Sequence, residues 1–285
     1  MTDIINEINL YEIAGKLLYD PKVPLLFNTG LFLVLFVVFL MIYNGLRRWP
    51  AVKMLATIMF SLYFYYKSSA ECCFILLGVC VSDYLLGMAL GASKAQWLRK
   101  TIVGLNVSVN LGMLVYFKYF NLLGQTWAQF THGNFDTLDI ILPAGISFFT
   151  FRSISYIVDI YRHDIEPEKN PLHYTFFLTF FPPLLAGPVV RAKDMLPQIK
   201  QNPLPTQAMV GEGLFLIMTG LIKKVVVADY ISGNFVNRIF DNPSLYSGFE
   251  NVMGCVGFTI QLYCDFSGYS DLSLIHISEP TRRRG

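Results

Sequence analysis

Pro24–Asn44 reads PLLFNTGLFLVLFVVFLMIYN, a run without one charged residue. A helix rises 1.5 Å per residue, so about 20 apolar residues cross the roughly 30 Å hydrocarbon core of a bilayer. The run predicts a transmembrane helix, and the whole composition agrees with it. Of 285 residues, 54% are hydrophobic and only 15% charged, with a mean hydropathy of +0.47. Soluble domains carry about 25% charged residues. Disorder is excluded, because it needs low hydrophobicity and high net charge. A nucleic-acid binder is excluded as well, since 22 Lys+Arg against 20 Asp+Glu leave a net charge of only +2. The expected fold class is all-α, a polytopic transmembrane helical bundle with broken or re-entrant helices in its second half.

Working outward, Thr2–Lys22 reads as a short interfacial helix rather than a signal peptide, because Asp3 and Glu7 precede its positive charges. Further spans are expected over Ala51–Tyr66, with Lys53 snorkelling to the headgroups, over Cys72–Gly91, broken only by Asp83, and over Thr101–Phe117. Arg47, Arg48 and Lys53 in the first loop, and Lys94, Arg99 and Lys100 in the third, place those loops in the cytoplasm and the N-terminus outside. Later apolar segments are less regular: Ile140–Val158 holds Arg152, and Tyr174–Val190 holds Pro182, Pro183 and Pro188. Ala208–Ala228 holds Lys223 and Lys224, and Tyr246–Tyr263 holds Glu250. Proline and charge at membrane depth are tolerated where backbone is buried in protein or lines a wet cavity, so the second half reads as the working half. The five cysteines have no zinc-ligand spacing and read as small buried hydrophobes.

Three stretches could carry chemistry. In LPAGISFFTFRSISYIVDIYR, Leu142–Arg162, hydroxyls at Ser147, Thr150, Ser153 and Ser155 serve either a site or helix packing. In FPPLLAGPVVRAKDMLPQI, Phe181–Ile199, the prolines forbid a regular span and suggest a re-entrant segment beside Arg191, Lys193 and Asp194. A guanidinium there can clamp a phosphate or carboxylate, or simply anchor the cytoplasmic face. In QLYCDFSGYSD, Gln261–Asp271, two carboxylates, two serines and two tyrosines make a polar pocket wall or hold helix ends. His132, His163 and His173 read as solvated loop residues, and Asp83 as an acid that pairs or faces the bundle interior. No P-loop, G-x-S-x-G or H-E-x-x-H occurs.

Taken in order, the three stretches resemble the membrane-bound O-acyltransferase family, in its bacterial alginate O-acetyltransferase-like branch. Its members carry similar L-P-x-G-I-S-F-x-T-F-x-x-x-S-Y-x-x-D-x-Y-R, F-x-P-x-x-x-A-G-P-x-x-R and C-D-F-S-G-Y-S-D motifs. Here Arg152 stands where an amide side chain is frequent and Pro183 where a polar residue is common. The resemblance implies transfer of an acyl group, usually acetyl, to an exported or cell-wall polysaccharide from a bacterial inner-membrane enzyme. Acetyl-CoA is the implied donor, with no bound cofactor or metal. The implied partners are the lipid bilayer and a periplasmic or secreted polysaccharide acyltransferase. Ser147, Arg152, Pro188, Arg191, Asp265, Ser267, Tyr269 and Asp271 become candidates for the substrate and donor channel.

The family's catalytic histidine follows the third motif in a Trp-His segment. Here the sequence continues LSLIHISEPTRRRG, and Leu272–Arg282 resembles a translated sequencing adapter. Residues 1–271 therefore read as the N-terminal part of the acyltransferase domain and 272–285 as a non-native tail. His276 is then no catalyst, and the chain alone is expected to be inactive. Without the resemblance, a transporter or flippase with a broken helix, or a non-catalytic subunit of a polysaccharide export complex, fits the same segments.

Overall fold

The computed structural model describes residues 18–19, 25, 29–70, 72–185, 190–201 and 207–274. Every regular element among them is helical. Apart from Leu18 and Tyr19, the expected interfacial segment Thr2–Lys22 lies outside the described residues, as do Pro188 and the tail from Ile275 onward. The chain forms two compact units, residues 1–185 with 190–200, and residues 186–189 with 201–285.

The first unit contains α1 (Gly30–Gly45), α2 (Pro50–Ser69), α3 (Cys72–Ala92), α4 (Gln96–Leu114), α5 (Phe120–Thr131), α6 (Ile146–Tyr161), α7 (Pro171–Thr179), α8 (Pro182–Leu185) and α9 (Ala192–Gln201). Local chemistry sets several ends. The Thr29 hydroxyl accepts from the Phe32 amide at 3.3 Å to open α1, and Pro50 occupies the first position of α2, where its missing N–H costs nothing. Among the described residues, two helices are long and apolar enough to cross a membrane: α3, and the 36-residue path Gln96–Thr131 through α4, a π-helical turn at Val115–Tyr119 and α5. α1 is apolar but spans 16 residues. These helices turn large apolar side chains outward, among them Val34, Met41, Phe74, Leu85, Val109 and Phe130. Patches of that size belong against lipid or protein rather than water.

The core of this unit lies where α3 and α4 pack against α6. At Gly87 a Cβ would stand 2.9 Å from Tyr156 Cε1, so only glycine lets α3 approach α6 this closely. Phe181 anchors a second cluster of aromatic rings with Phe32, Phe36, Phe39, Phe60 and Phe64.

Four expectations change. Lys53 does not snorkel; it is buried, with its ammonium 4.3 Å from the centre of the Tyr43 ring. Arg99 is no loop residue either. It is buried in α4 and donates to the carbonyls of Leu90 (3.0 Å), Ile160 (3.2 Å) and Tyr161 (3.0 Å). The expected span Thr101–Phe117 is part of the longer Gln96–Thr131 path, which stops at His132 in left-handed conformation (φ 51°). Finally, α6 starts at Ile146 rather than Ile140, because Pro143 disfavours helix before it and Gly145 turns left-handed at φ 69°.

The second unit contains α10 (Gln207–Leu221), π-helical segments Ile222–Asp229 and Ser232–Val236, α11 (Asn237–Asp241) and α12 (Gly248–Leu274). α12 packs along α10 and the first π segment. A Cβ at Gly268 would lie 2.9 Å from the Gly220 carbonyl, so glycine again permits the approach. Of the five free cysteines, Cys72, Cys80 and Cys264 are buried as expected; Cys73 is half-buried and Cys255 exposed on the apolar flank of α12.

Candidate functional site

The second motif holds a helix break, and the first motif satisfies it. α7 stops at Thr179 because Pro182 and Pro183 follow, leaving its last carbonyls without helical partners. Arg152 of α6, 0% exposed, donates to the Leu178 carbonyl at 3.3 Å and to the Phe177 carbonyl. Its guanidinium sits 4.7 Å from the centre of the Phe177 ring and 3.8 Å from Met195 Sδ. Thr179 donates to the Thr175 carbonyl at 2.7 Å, while the Phe181 amide donates to Ser61 of α2 at 3.3 Å. A cation at a helix C-terminus also answers the negative end of the helix dipole. Ser147 lies half-buried in the first turn of the same helix.

At the far end of α6 the chemistry turns hydrophilic. Asp159, with its side chain 1% exposed, faces the half-exposed Arg191 guanidinium at 4.0 Å, and neither carboxylate oxygen has a hydrogen-bond partner among the described residues. Arg191 therefore keeps donors for a second anion. In the connection between α6 and α7, Glu168 accepts from Lys200 at 2.7 Å and from the Asn170 amide at 3.2 Å, and lies 3.2 Å from His173 Nδ1. Burial pushes the Glu168 carboxyl up, but Lys200, the Asn170 amide and His173 outweigh it and hold the carboxyl below the ordinary glutamate range. The Glu168 amide in turn donates to the Tyr156 hydroxyl at 3.0 Å, tying the loop back onto α6.

In the second unit the third motif is helical throughout, on α12. Asp265 accepts from Lys224 at 2.7 Å, and the same ammonium reaches Asp229 at 2.7 Å. Ser267 accepts from Lys223 at 2.9 Å. Tyr269 and Asp271 fall on the same helix. Both lysines sit on the π-helical segment Ile222–Asp229; such wide turns recur at functional sites.

Of the sequence candidates, Ser147, Arg152 and Arg191 belong to the first unit, and Asp265 and Ser267 to the second. Asp159, Lys223 and Lys224 were not singled out, although Asp159 lies within the first motif and the lysines interrupt an apolar run. An acid or base inside such a run is the available signal. His132 and His163 are exposed as expected. His173 is not a solvated loop residue; it is half-buried in the first turn of α7 against Glu168.

No family model matches the chain. It is 35% identical over 261 residues to the Probable alginate O-acetylase AlgI of Pseudomonas aeruginosa, covering 88% of this chain and 48% of that protein. Over 280 residues it is 31% identical to the Peptidoglycan O-acetyltransferase of Helicobacter pylori, covering 88% of this chain and 53% of the relative. The corresponding protein of Pseudomonas putida, Probable alginate O-acetylase AlgI, is 34% identical over 265 residues, with coverage of 88% and 52%. The chain spans about half the length of these curated relatives. Similarity of this extent, joined to three motifs in family order on helices, settles the kinship: the chain belongs to the membrane-bound O-acyltransferase family.

Proposed function

We propose that this chain serves O-acyl transfer, in which acyl groups, acetyl foremost, pass onto hydroxyls of an exported or cell-wall polysaccharide. The observation that carries the reading is the identity of 31–35% over 88% of the chain to relatives whose names specify O-acetylation of alginate and peptidoglycan. The donor is acetyl-CoA, entering from the cytoplasmic side of a bacterial inner membrane that the chain crosses several times. Exposed Arg48, Lys94 and Lys100 support an N-terminus on the outer side, by the positive-inside rule. Arg191 and Lys193 are exposed cations suited to donor phosphates. The Lys224–Asp265 and Lys223–Ser267 pairs brace the third motif as one wall of the path along which donor and acceptor meet. A general base poised to take the acceptor hydroxyl proton completes such chemistry. A periplasmic or secreted acyltransferase is the expected partner downstream.

A graft tests the reading. Residues 1–271 replace the stretch they match in the Pseudomonas aeruginosa relative, in cells lacking their own alginate O-acetylase. Acetyl esters on the secreted alginate are the expected result. A chimera that inserts and folds yet leaves alginate unacetylated overturns the assignment.

A further inference from the structure

Away from these sites, four helices of the first unit bring polar groups to one enclosed point. Asp83 of α3 is 0% exposed and accepts from Asn106 Nδ2 of α4 at 2.6 Å and from the Tyr174 hydroxyl of α7 at 3.1 Å. Asn110 of α4 and Ser153 of α6 also turn their side chains toward this carboxylate. Asn106 Nδ2 donates to Asp83, and Asn110 Nδ2 donates to the Asn106 backbone carbonyl at 3.0 Å. Two buried amide oxygens, Asn106 Oδ1 and Asn110 Oδ1, remain with no donor among the described residues, and Ser153 Oγ has no partner at hydrogen-bond distance there. No lysine or arginine pairs with Asp83 among those residues, and its titratable neighbours Tyr174, Tyr156 and Cys80 bring no positive charge in either protonation state.

We propose that Asp83, Asn106, Asn110 and Ser153 form a buried site for one sodium ion. The site has two needs, a charge to balance the carboxylate and a partner for the two amide oxygens. Water would answer only the second. A proton on Asp83 would cancel the charge yet give a donor to one oxygen at most. A monovalent cation meets both. A divalent ion would leave an uncompensated charge in a low-dielectric interior, where that is expensive. All four ligands are hard oxygens, which suit sodium and not the thiophilic metals. Because the ligands come from α3, α4 and α6, the ion would lock the packing of these helices.

The test uses the purified 285-residue chain in lipid nanodiscs. Binding of radioactive sodium is expected to saturate, to be displaced by cold NaCl and to resist choline chloride at equal ionic strength. Ser153→Ala and Asn110→Ala should each weaken it at least tenfold, and Asp83→Asn should abolish it. The wild-type melting temperature should rise by about 3 °C at ten times the dissociation constant, with no rise for Asp83→Asn. If Asp83→Asn does not melt cooperatively, the Ser153 and Asn110 variants decide. Absence of saturable binding in a cooperatively melting wild type overturns the proposal, and so does full binding in Asp83→Asn. Stability that ignores sodium but responds to acid would assign the charge balance to a proton and overturn it too.

Discussion

Truncating Arg152 removes a buried cation that holds the end of α7. The guanidinium makes two bonds, to the Leu178 carbonyl at 3.3 Å and to the Phe177 carbonyl. Hydrogen bonds from a charged donor contribute about 1.5–3 kcal/mol each. The longer bond sits at the low end of that range, so the pair is worth about 4 kcal/mol. Arg152→Ala also opens a cavity beside Met195 and the Phe177 ring, which adds to the loss. Relief of burying an unpaired charge works the other way. The net expectation is a loss of about 3–4 kcal/mol, or about 6–12 °C in Tm for a domain of this size. Arg152→Gln keeps a neutral donor for one carbonyl and drops the buried charge, so its loss should stay near 1 kcal/mol. Melting of the detergent-solubilised chain can be followed with a thiol-reactive dye, since Cys72, Cys80 and Cys264 are buried until the helices separate. An Arg152→Ala variant that melts within 2 °C of wild type, or an Arg152→Gln variant that loses as much as Arg152→Ala, would show that the guanidinium does not hold this helix end.

Three further outcomes follow from the geometry. Glu168 is held below its ordinary range, so its ion pair with Lys200 contributes stability that is full above the unfolded glutamate pKa of about 4.3 and is lost as pH falls through the lower folded value. Melting curves from pH 7 to 3 should show Glu168→Gln less stable than wild type at pH 7, with the gap closing in acid; a gap that persists in acid refutes the pair. At the contact of α3 with α6, Gly87→Val places carbon within about 3 Å of Tyr156, and should cost about 1–3 kcal/mol by thermal unfolding. Lys224→Met strips Asp265 and Asp229 of their shared, partly buried cation. In the grafted acetylase it should cut alginate acetylation roughly tenfold, a barrier rise of about 1.4 kcal/mol, and equal acetyl content would rule out a role for the pair.

Helices that the sequence shows plainly are those where local signals agree. α1 and α3 are long apolar runs, and the break after Thr179 is written in Pro182 and Pro183. What stays hidden depends on contacts far apart in sequence. Arg99 looks like a loop cation until three carbonyls, two of them more than 60 residues away, are seen to receive it. Asp83 is visibly odd in an apolar run, but its partner Tyr174 lies 91 residues on, and no periodicity announces such a meeting. The candidate site divides the same way. Its motifs are legible because they are contiguous, whereas the lysines that hold Asp265 and Ser267 are set 41 and 44 residues earlier.

The broken helix and the buried arginine are two halves of one physical requirement. A helix that ends in water leaves its last carbonyls to solvent, but one that ends inside a bundle must find donors for them. α7 ends inside: Phe177, Leu178 and Thr179 are buried, as are Phe180 and Phe181 just beyond them. Arg152, the Thr179 hydroxyl and Ser61 supply the partners that solvent would have given. The prolines of the second motif are therefore affordable only because the first motif carries a long donor at the right turn of α6. An amide reaches less far and brings no charge, so a chain with glutamine at position 152 needs a closer approach of α6 to α7 or a second donor for the other carbonyl. That dependence links two motifs about thirty residues apart.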